Sequence, residues 1–337
     1  MEIFKETMSF YDFPYFDKGD ICLKHKIGSG GTGNVYDGTL KLLDSTINCV
    51  IKKVSSDNYD ENHRDRMIYQ DIIDEVNIGH RFMNKSDYQI KFYGYSIFKK
   101  CNIITIYLIM EKTEGMDISK YLNYKKYWKK ITKEEYDKSS SKTKMYHKTD
   151  DKIRYWDYIM SSELKFKIME KLCLAVQELH SFKIVHGDLK LSNTLYLNDK
   201  VKIIDYGASQ EMKNEKEIEG AVEMGTPGYM SEDMREGWIS YKGDIYSLGV
   251  CMLEIWFGDI WCSDTGDYKK CRGYILNYLS LLKKDNLELH NLIKKCISTD
   301  PKKRPLTKTI LTNLHRIHGE YLDHRDLENH KVHDIHD

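Results

Sequence analysis

The sequence predicts an α+β fold with its strands gathered toward the front and its helices behind, and three observations carry that reading. Up to Met110 the apolar runs are short and separated by glycine or polar turns: Ile21–Ile27, Ile47–Lys52, Tyr88–Phe98 and Cys101–Met110 have strand length and composition. From Ser161 the spacing turns helical, with Leu164, Ile168, Leu172, Ala175, Val176 and Leu179 on one stripe. No repeat of strand–helix units, such as a doubly wound sheet or an α/β barrel requires, runs through the chain. At 337 residues the chain is long for one core and suits two lobes of one catalytic unit, or two domains.

Composition narrows the classes of function. Lys plus Arg and Asp plus Glu are equal at 52 each, so no excess charge draws the chain to nucleic acid or to an anionic membrane. The eight cysteines are scattered through apolar runs with no Cys-x-x-Cys pair, as expected of buried free thiols in a reducing compartment. No apolar run approaches the roughly 18 residues of a membrane span, and Met1-Glu2-Ile3-Phe4-Lys5-Glu6 lacks the apolar core of a signal peptide. The expectation is an intracellular, cytoplasmic protein. Abundant Lys, Ile, Asn and Tyr beside four prolines fit an AT-rich genome.

Taken in order, residues 1–19 form a lead-in whose stretch Met8-Ser9-Phe10-Tyr11-Asp12-Phe13-Pro14-Tyr15-Phe16 is too aromatic for a free linker and is expected to pack on the first lobe. After the strand Ile21–Ile27 comes Gly28-Ser29-Gly30-Gly31-Thr32-Gly33-Asn34-Val35-Tyr36, a glycine hairpin whose backbone can lie close to a ligand. No helical pattern follows Gly33, which disfavours a dinucleotide-binding turn. In Ile47-Asn48-Cys49-Val50-Ile51-Lys52 the period-two alternation puts Val50 and Lys52 on one face, with Lys53 turned away. Residues 64–83 read as a helix carrying Glu75 and Asp74. A short helix near Ile118–Leu122 precedes the least regular stretch, 123–159, rich in Lys, Tyr and Ser and expected to be an exposed insert; a basic docking element with interleaved aromatics is the alternative. The helix beginning at Ser161 or Ser162 then leads to the chemistry. Past residue 316 lies a tail with His324, His330, His333 and His336, expected to be solvated.

Two motifs concentrate reactive groups: Ile184-Val185-His186-Gly187-Asp188-Leu189-Lys190-Leu191-Ser192-Asn193 and Ile203-Ile204-Asp205-Tyr206-Gly207. In-line phosphoryl transfer needs one carboxylate to orient a hydroxyl, another and an amide to hold Mg²⁺, and a lysine on phosphate. The pair resembles the catalytic loop and metal-binding triplet of protein kinases. The glycine hairpin resembles that family's phosphate-covering loop, and Glu111-Lys112-Thr113-Glu114-Gly115 its hinge.

The resemblance spans residues 20–316 and implies a two-lobed kinase fold. A small antiparallel sheet with one helix (about 20–111) would be joined to a larger, mainly helical lobe (about 115–316), with ATP and Mg²⁺ between them. It implies Asp188 as catalytic base and Lys190 on the transferred phosphoryl. Asn193 and Asp205 would be metal ligands, with Gly28, Gly30, Gly33, Val35, Val50, Lys52, Glu75, Met110, Glu111 and Thr113 around ATP. Lys190 and Gly225-Thr226-Pro227-Gly228-Tyr229-Met230 imply serine/threonine protein substrates.

Glu232 is expected to pair with Arg304, and Asp244 to cap its helix and brace the catalytic loop. The chain departs from the family at Gly79, where a bulky apolar residue usually completes the stack on Tyr206, and at Val50, where alanine is usual. Gly187 replaces an arginine that receives activation-segment phosphate, and no Ser, Thr or Tyr lies between Gln210 and Gly225. Activity without activation-segment phosphorylation is therefore expected. The alternatives are a pseudokinase that binds nucleotide or partners without transfer, and a small-molecule kinase, which the acceptor-seating segment and Arg304 disfavour.

Overall fold

The structure, a computed structural model, describes residues 13–30, 33–56, 63–82, 85–100, 103–124, 127–138, 144–149, 152–212, 225–258, 260–261 and 266–333. The chain divides into two compact units: Met1–Gly115 with Ile203–Glu211, and Met116–Lys202 with Met212–Asp337. The first is a small antiparallel sheet with one helix and the second is mainly helical, the α+β, two-lobed kinase-like arrangement that the sequence predicts.

The smaller unit is built on five strands, β1 (Ile21–Gly30), β2 (Gly33–Lys41), β3 (Thr46–Ser56), β4 (Phe92–Lys100) and β5 (Ile103–Glu111), in the order β1-β2-β3-β5-β4. Strand β5 is interior, between β3 and β4, and its unbroken run from Ile104 to Ile109 is buried; a strand covered on both faces reads as a nearly continuous apolar run rather than an alternating one. Leu40, Cys49, Ile51, Tyr107 and Ile109 form one core cluster. Strand β4 begins at Phe92, not at Tyr88, because the Ser86 hydroxyl accepts from the Tyr88 and Gln89 N–H groups and makes a turn there.

At the β1–β2 hairpin Gly28 pairs with Val35 and Gly30 with Gly33. A Cβ on Gly33 would stand 2.6 Å from the Lys53 carbonyl oxygen, so only glycine fits against β3. Of the aromatic lead-in, residues 13–16 lie along β4: Phe16 N donates to Tyr95 O at 2.9 Å, Tyr95 N to Pro14 O at 3.0 Å, and Phe13 stacks on Tyr95. That covers an edge strand which would otherwise present open hydrogen-bonding groups. Residues 1–12 lie outside the described residues.

In the larger unit the helix Ser162–Ser181 is capped by Ser161, whose side chain accepts from Leu164 N. Of its predicted apolar stripe, Ile168, Leu172, Ala175, Val176 and Leu179 are buried and Leu164 is half-buried, and the helix packs against the helix Tyr241–Phe257 and the C-terminal helix Thr307–His333. The helix Tyr241–Phe257 is buried all round from Gly243 onward, as a core helix should be. At Gly249 a Cβ would meet Cys296 Cβ at 2.7 Å, which lets the helix Leu287–Cys296 pack close.

Two segments are more regular than the sequence suggests. The stretch read as an irregular insert holds a three-stranded antiparallel sheet, Trp128–Ile131, Lys152–Tyr158 and Lys144–Thr149 in spatial order, with a helix Lys133–Lys138. Its lysines and serines masked runs such as Ile153-Arg154-Tyr155-Trp156, whose β-branched and aromatic residues favour strands. The tail expected beyond residue 316 continues the helix Thr307–His333, anchored by buried Ile310, Leu314 and Ile317. His324, His330 and His333 fall on that helix, and His336 lies outside the described residues.

Among the described residues no helix is long and apolar enough to cross a membrane. Cys49, Cys173, Cys251, Cys271 and Cys296 are buried free thiols, whereas Cys22 is exposed.

Candidate active site

The candidate residues fall into two sets, one in each unit. In the smaller unit strand pairing places Val35 opposite Lys52, Asp37 opposite Val50, and Val50 opposite Met110. Lys52, 5 % exposed, donates to both Glu75 oxygens at 2.9 and 2.8 Å and to Asp205 Oδ1 at 3.0 Å. Burial alone would pull this ammonium down, but Glu75 and Asp205 outweigh it and hold Lys52 above its ordinary range, fully charged. Glu75 is 2 % exposed and Asp74 faces solvent, so the helix His63–Phe82 presents Glu75 to Lys52. Asp205 sits at φ 63°, a left-handed backbone that costs free energy outside glycine and aims its carboxylate at Lys52.

The stack expected to be thin at Gly79 is filled. Phe92, from β4, occupies the space a side chain there would take: a Cβ on Gly79 would lie 2.4 Å from its Cγ. The Phe92 ring lies 6.1 Å, and the Phe82 ring 5.1 Å, from Tyr206. The Tyr206 hydroxyl lies 3.0 Å from Gln89 Oε1 and 2.9 Å from Ile203 O, so its proton is shared within the core.

Glu111, expected to offer its backbone to an adenine edge, already donates its N–H to Lys91 O at 2.8 Å, and its carboxylate accepts from Lys91 N. Thr113 Oγ1 accepts from Gly115 N. Two ion pairs here carry no sequence signature. Lys112 Nζ reaches Asp37 at 2.7 Å and holds that carboxyl below its usual range, and Arg81 reaches Glu211 at 2.5 Å.

In the larger unit Asp188, Lys190 and Asn193 converge. Lys190 Nζ donates to Asp188 Oδ2 at 2.6 Å and to Thr226 Oγ1 at 2.7 Å, and the Thr226 hydroxyl donates to Asp188 Oδ1 at 2.8 Å. Asn193, in a 3₁₀ turn, donates from Nδ2 to Asp188 O at 3.0 Å and to Oδ2 at 3.3 Å, which orients its amide oxygen away from that residue. The sequence does not mark Thr226 as a partner of Asp188; its place after Gly225 is the available signal.

Asp244 braces this loop from below: it accepts from His186 N at 2.8 Å, Gly187 N at 3.1 Å and His180 Nε2 at 2.9 Å. It does not cap its helix, because Ser240 accepts from Gly243 N in that role. Gly187 adopts φ 78°, so the residue standing where an arginine is usual holds a left-handed turn.

Arg304, 1 % exposed, pairs with Asp233 at 2.5 and 3.1 Å rather than with Glu232, the partner expected from the sequence. In the short helix Glu232–Arg235 neighbouring side chains point about 100° apart; Asp233 faces the guanidinium and Glu232 faces solvent. Residues 213–224 of the activation segment lie outside the described residues.

Chemically, a carboxylate flanked by an ammonium and a hydroxyl is placed to take a proton from an alcohol. Asn193 offers an amide oxygen in the larger unit and Asp205 a half-exposed carboxylate in the smaller one, and each is a hard donor of the kind a hard divalent cation takes.

The sequence matches the protein kinase domain family across residues 22–316. Among similar proteins, dual specificity protein kinase pyk3 of Dictyostelium discoideum is 28% identical over 163 residues, 47% of this chain and 12% of that protein. Guanylyl cyclase C of Rattus norvegicus is 30% identical over 193 residues, 52% of this chain and 17% of that protein. Serine/threonine-protein kinase MPS1 of Encephalitozoon cuniculi is 27% identical over 151 residues, 43% of this chain and 26% of that protein. The chain thus spans about a quarter or less of the length of these relatives. With a family match over most of its length and a fold of the same two-lobed kind, the chain belongs to the protein kinase family.

Proposed function

We propose that the chain is a serine/threonine protein kinase that transfers the γ-phosphoryl group of ATP to protein hydroxyls without activation-segment phosphorylation. The observation that carries this reading is the triangle of Asp188, Lys190 and Thr226, where an internal alcohol already sits 2.8 Å from the carboxylate. The acceptor hydroxyl attacks the γ-phosphorus as its proton passes to Asp188, and the bond from phosphorus to the bridging oxygen of ADP breaks. Lys190 offsets the negative charge on the transferred group, and Lys52, held by Glu75, rests on the remaining phosphates.

Gly28, Gly30 and Gly33 cover those phosphates with backbone, Val35, Val50 and Met110 line the adenine, and Glu111 and Thr113 meet its edge. Asn193 and Asp205 would hold Mg²⁺, which when bound neutralises phosphate charge. Independence from phosphorylation is supported by Gly187 and by the absence of Ser, Thr and Tyr between Gln210 and Gly225. Serine/threonine preference is supported by Lys190 and by the similarity to MPS1, a serine/threonine-protein kinase.

The test is phosphotransfer from ATP and Mg²⁺ to a degenerate Ser/Thr/Tyr peptide library, with wild type beside Asp188→Ala and Ser209→Ala. Incorporation on Ser or Thr that disappears in Asp188→Ala and persists in Ser209→Ala is expected. Incorporation on Tyr alone, or loss in Ser209→Ala, overturns the corresponding part. Stabilisation by ATP with no transfer would make the chain a nucleotide-binding pseudokinase.

A further inference from the structure

Trp261 belongs to none of the motifs above, yet it buttresses the segment that carries Thr226. It lies just past the core helix Tyr241–Phe257, and its indole Nε1 donates to Tyr229 Oη at 3.0 Å with the rings 5.3 Å apart. Tyr229 Oη in turn donates to Glu254 Oε2 at 2.5 Å, and Ser247 Oγ donates to Tyr229 O at 2.7 Å. Burial pushes the Tyr229 phenol well above its ordinary range, so it stays protonated and keeps both roles.

The same indole lies against the neighbouring residue. A Cβ on Gly228 would stand 2.9 Å from Trp261 Cη2, and no more than a hydrogen fits there. One ring therefore sets the height of two consecutive residues, Gly228 and Tyr229, only two positions after the hydroxyl that touches Asp188. Moving the ring moves that stretch of backbone, because Tyr229 is fixed to Trp261 on one side and to the core helix on the other.

We infer that Trp261 is a positioning residue for the acceptor peptide: it fixes the Gly228–Tyr229 floor on which the peptide lies and so governs affinity for protein substrate rather than for nucleotide. The inference rests on the kinase reading above.

The experiment is steady-state phosphotransfer by the full chain, varying a serine/threonine peptide drawn from the degenerate library and, separately, ATP. Trp261→Phe keeps an aromatic ring and removes the N–H donor, and Gly228→Ala pushes on the ring from the other side. Each is expected to raise KM for peptide about 3- to 10-fold, the scale of one lost buried hydrogen bond, with KM for ATP within about twofold. Should Trp261→Phe lose its melting transition, Gly228→Ala carries the same signature alone. Peptide KM unchanged in a folded variant, or KM for ATP rising in step with it, overturns the inference while the kinase reading stands. A wild type that transfers to no peptide ends both, and is recognised before any variant is made.

Discussion

Replacing Gly79 by alanine should reverse the sign usual for a helix interior. Glycine in a helix costs about 1 kcal/mol relative to alanine, so propensity alone favours the substitution by that amount. At Gly79 the new Cβ would stand 2.4 Å, 2.6 Å and 2.7 Å from three carbons of the Phe92 ring, whereas ordinary contact begins at 3.4 Å. Phe92, 1 % exposed, would have to retreat about 1 Å in a close-packed interior. Overpacking of this kind costs about 1–3 kcal/mol, and the directness of the clash places it at the upper end. The net expectation is a loss of about 1–2 kcal/mol for the smaller unit.

Urea denaturation of the full chain, wild type beside Gly79→Ala, measures it. A Phe92→Leu background provides the control: the shorter side chain makes room, so the alanine penalty should fall by half or more there, as expected for residues in contact. A Gly79→Ala protein as stable as wild type, or an equal penalty in both backgrounds, would refute the reasoning.

Three further outcomes follow from the same geometry. Asp233→Ala should destabilise the larger unit by about 3–5 kcal/mol by leaving the buried Arg304 guanidinium without its carboxylate, while Glu232→Ala should change stability by no more than about 0.5 kcal/mol; chemical denaturation of the two variants separates the assignments. Lys52→Met should cost about 3–5 kcal/mol through the stranded Glu75 carboxylate, and adding Glu75→Gln should recover most of it in the same assay. The Asp37 carboxyl lies below its ordinary value of 3.8 because Lys112 donates to it, so its contribution is present above that pH and fades as pH falls through the folded value. The difference in melting temperature between wild type and Asp37→Asn should accordingly hold steady from about pH 7 to 5 and close below about pH 4; a gap unchanged to pH 3 would contradict it.

What was legible in the sequence was whatever depends on local spacing. The face of β3 that carries Lys52 follows from strand alternation, its pairing with Glu75 from the family resemblance, and a serine cap at 161 or 162 and the strand run of β5 from period and composition. Features decided by tertiary neighbours were not legible. Phe92 fills the space at Gly79 from a strand distant in sequence, and nothing in the helix announces it. The choice of Asp233 over Glu232 turns on one step of helix phase, finer than motif matching resolves. The contacts of Thr226 with Asp188 and Lys190, and of Trp261 with Tyr229, cross long sequence separations through single hydroxyl and indole groups, which leave no periodicity to read. In the 123–159 stretch a high content of lysine and serine hid the strand pattern.

The hydroxyl of Tyr206 has a consequence for which conformations the chain samples. Expelling that ring from beside Phe82 and Phe92 breaks the hydrogen bond shared by Gln89 and Ile203, a loss a phenylalanine would not incur. At about 0.5–1.5 kcal/mol, the expelled arrangement is about 2- to 12-fold rarer than it would be with phenylalanine. A small molecule that binds only the expelled arrangement loses the same factor in apparent affinity, and Tyr206→Phe returns it.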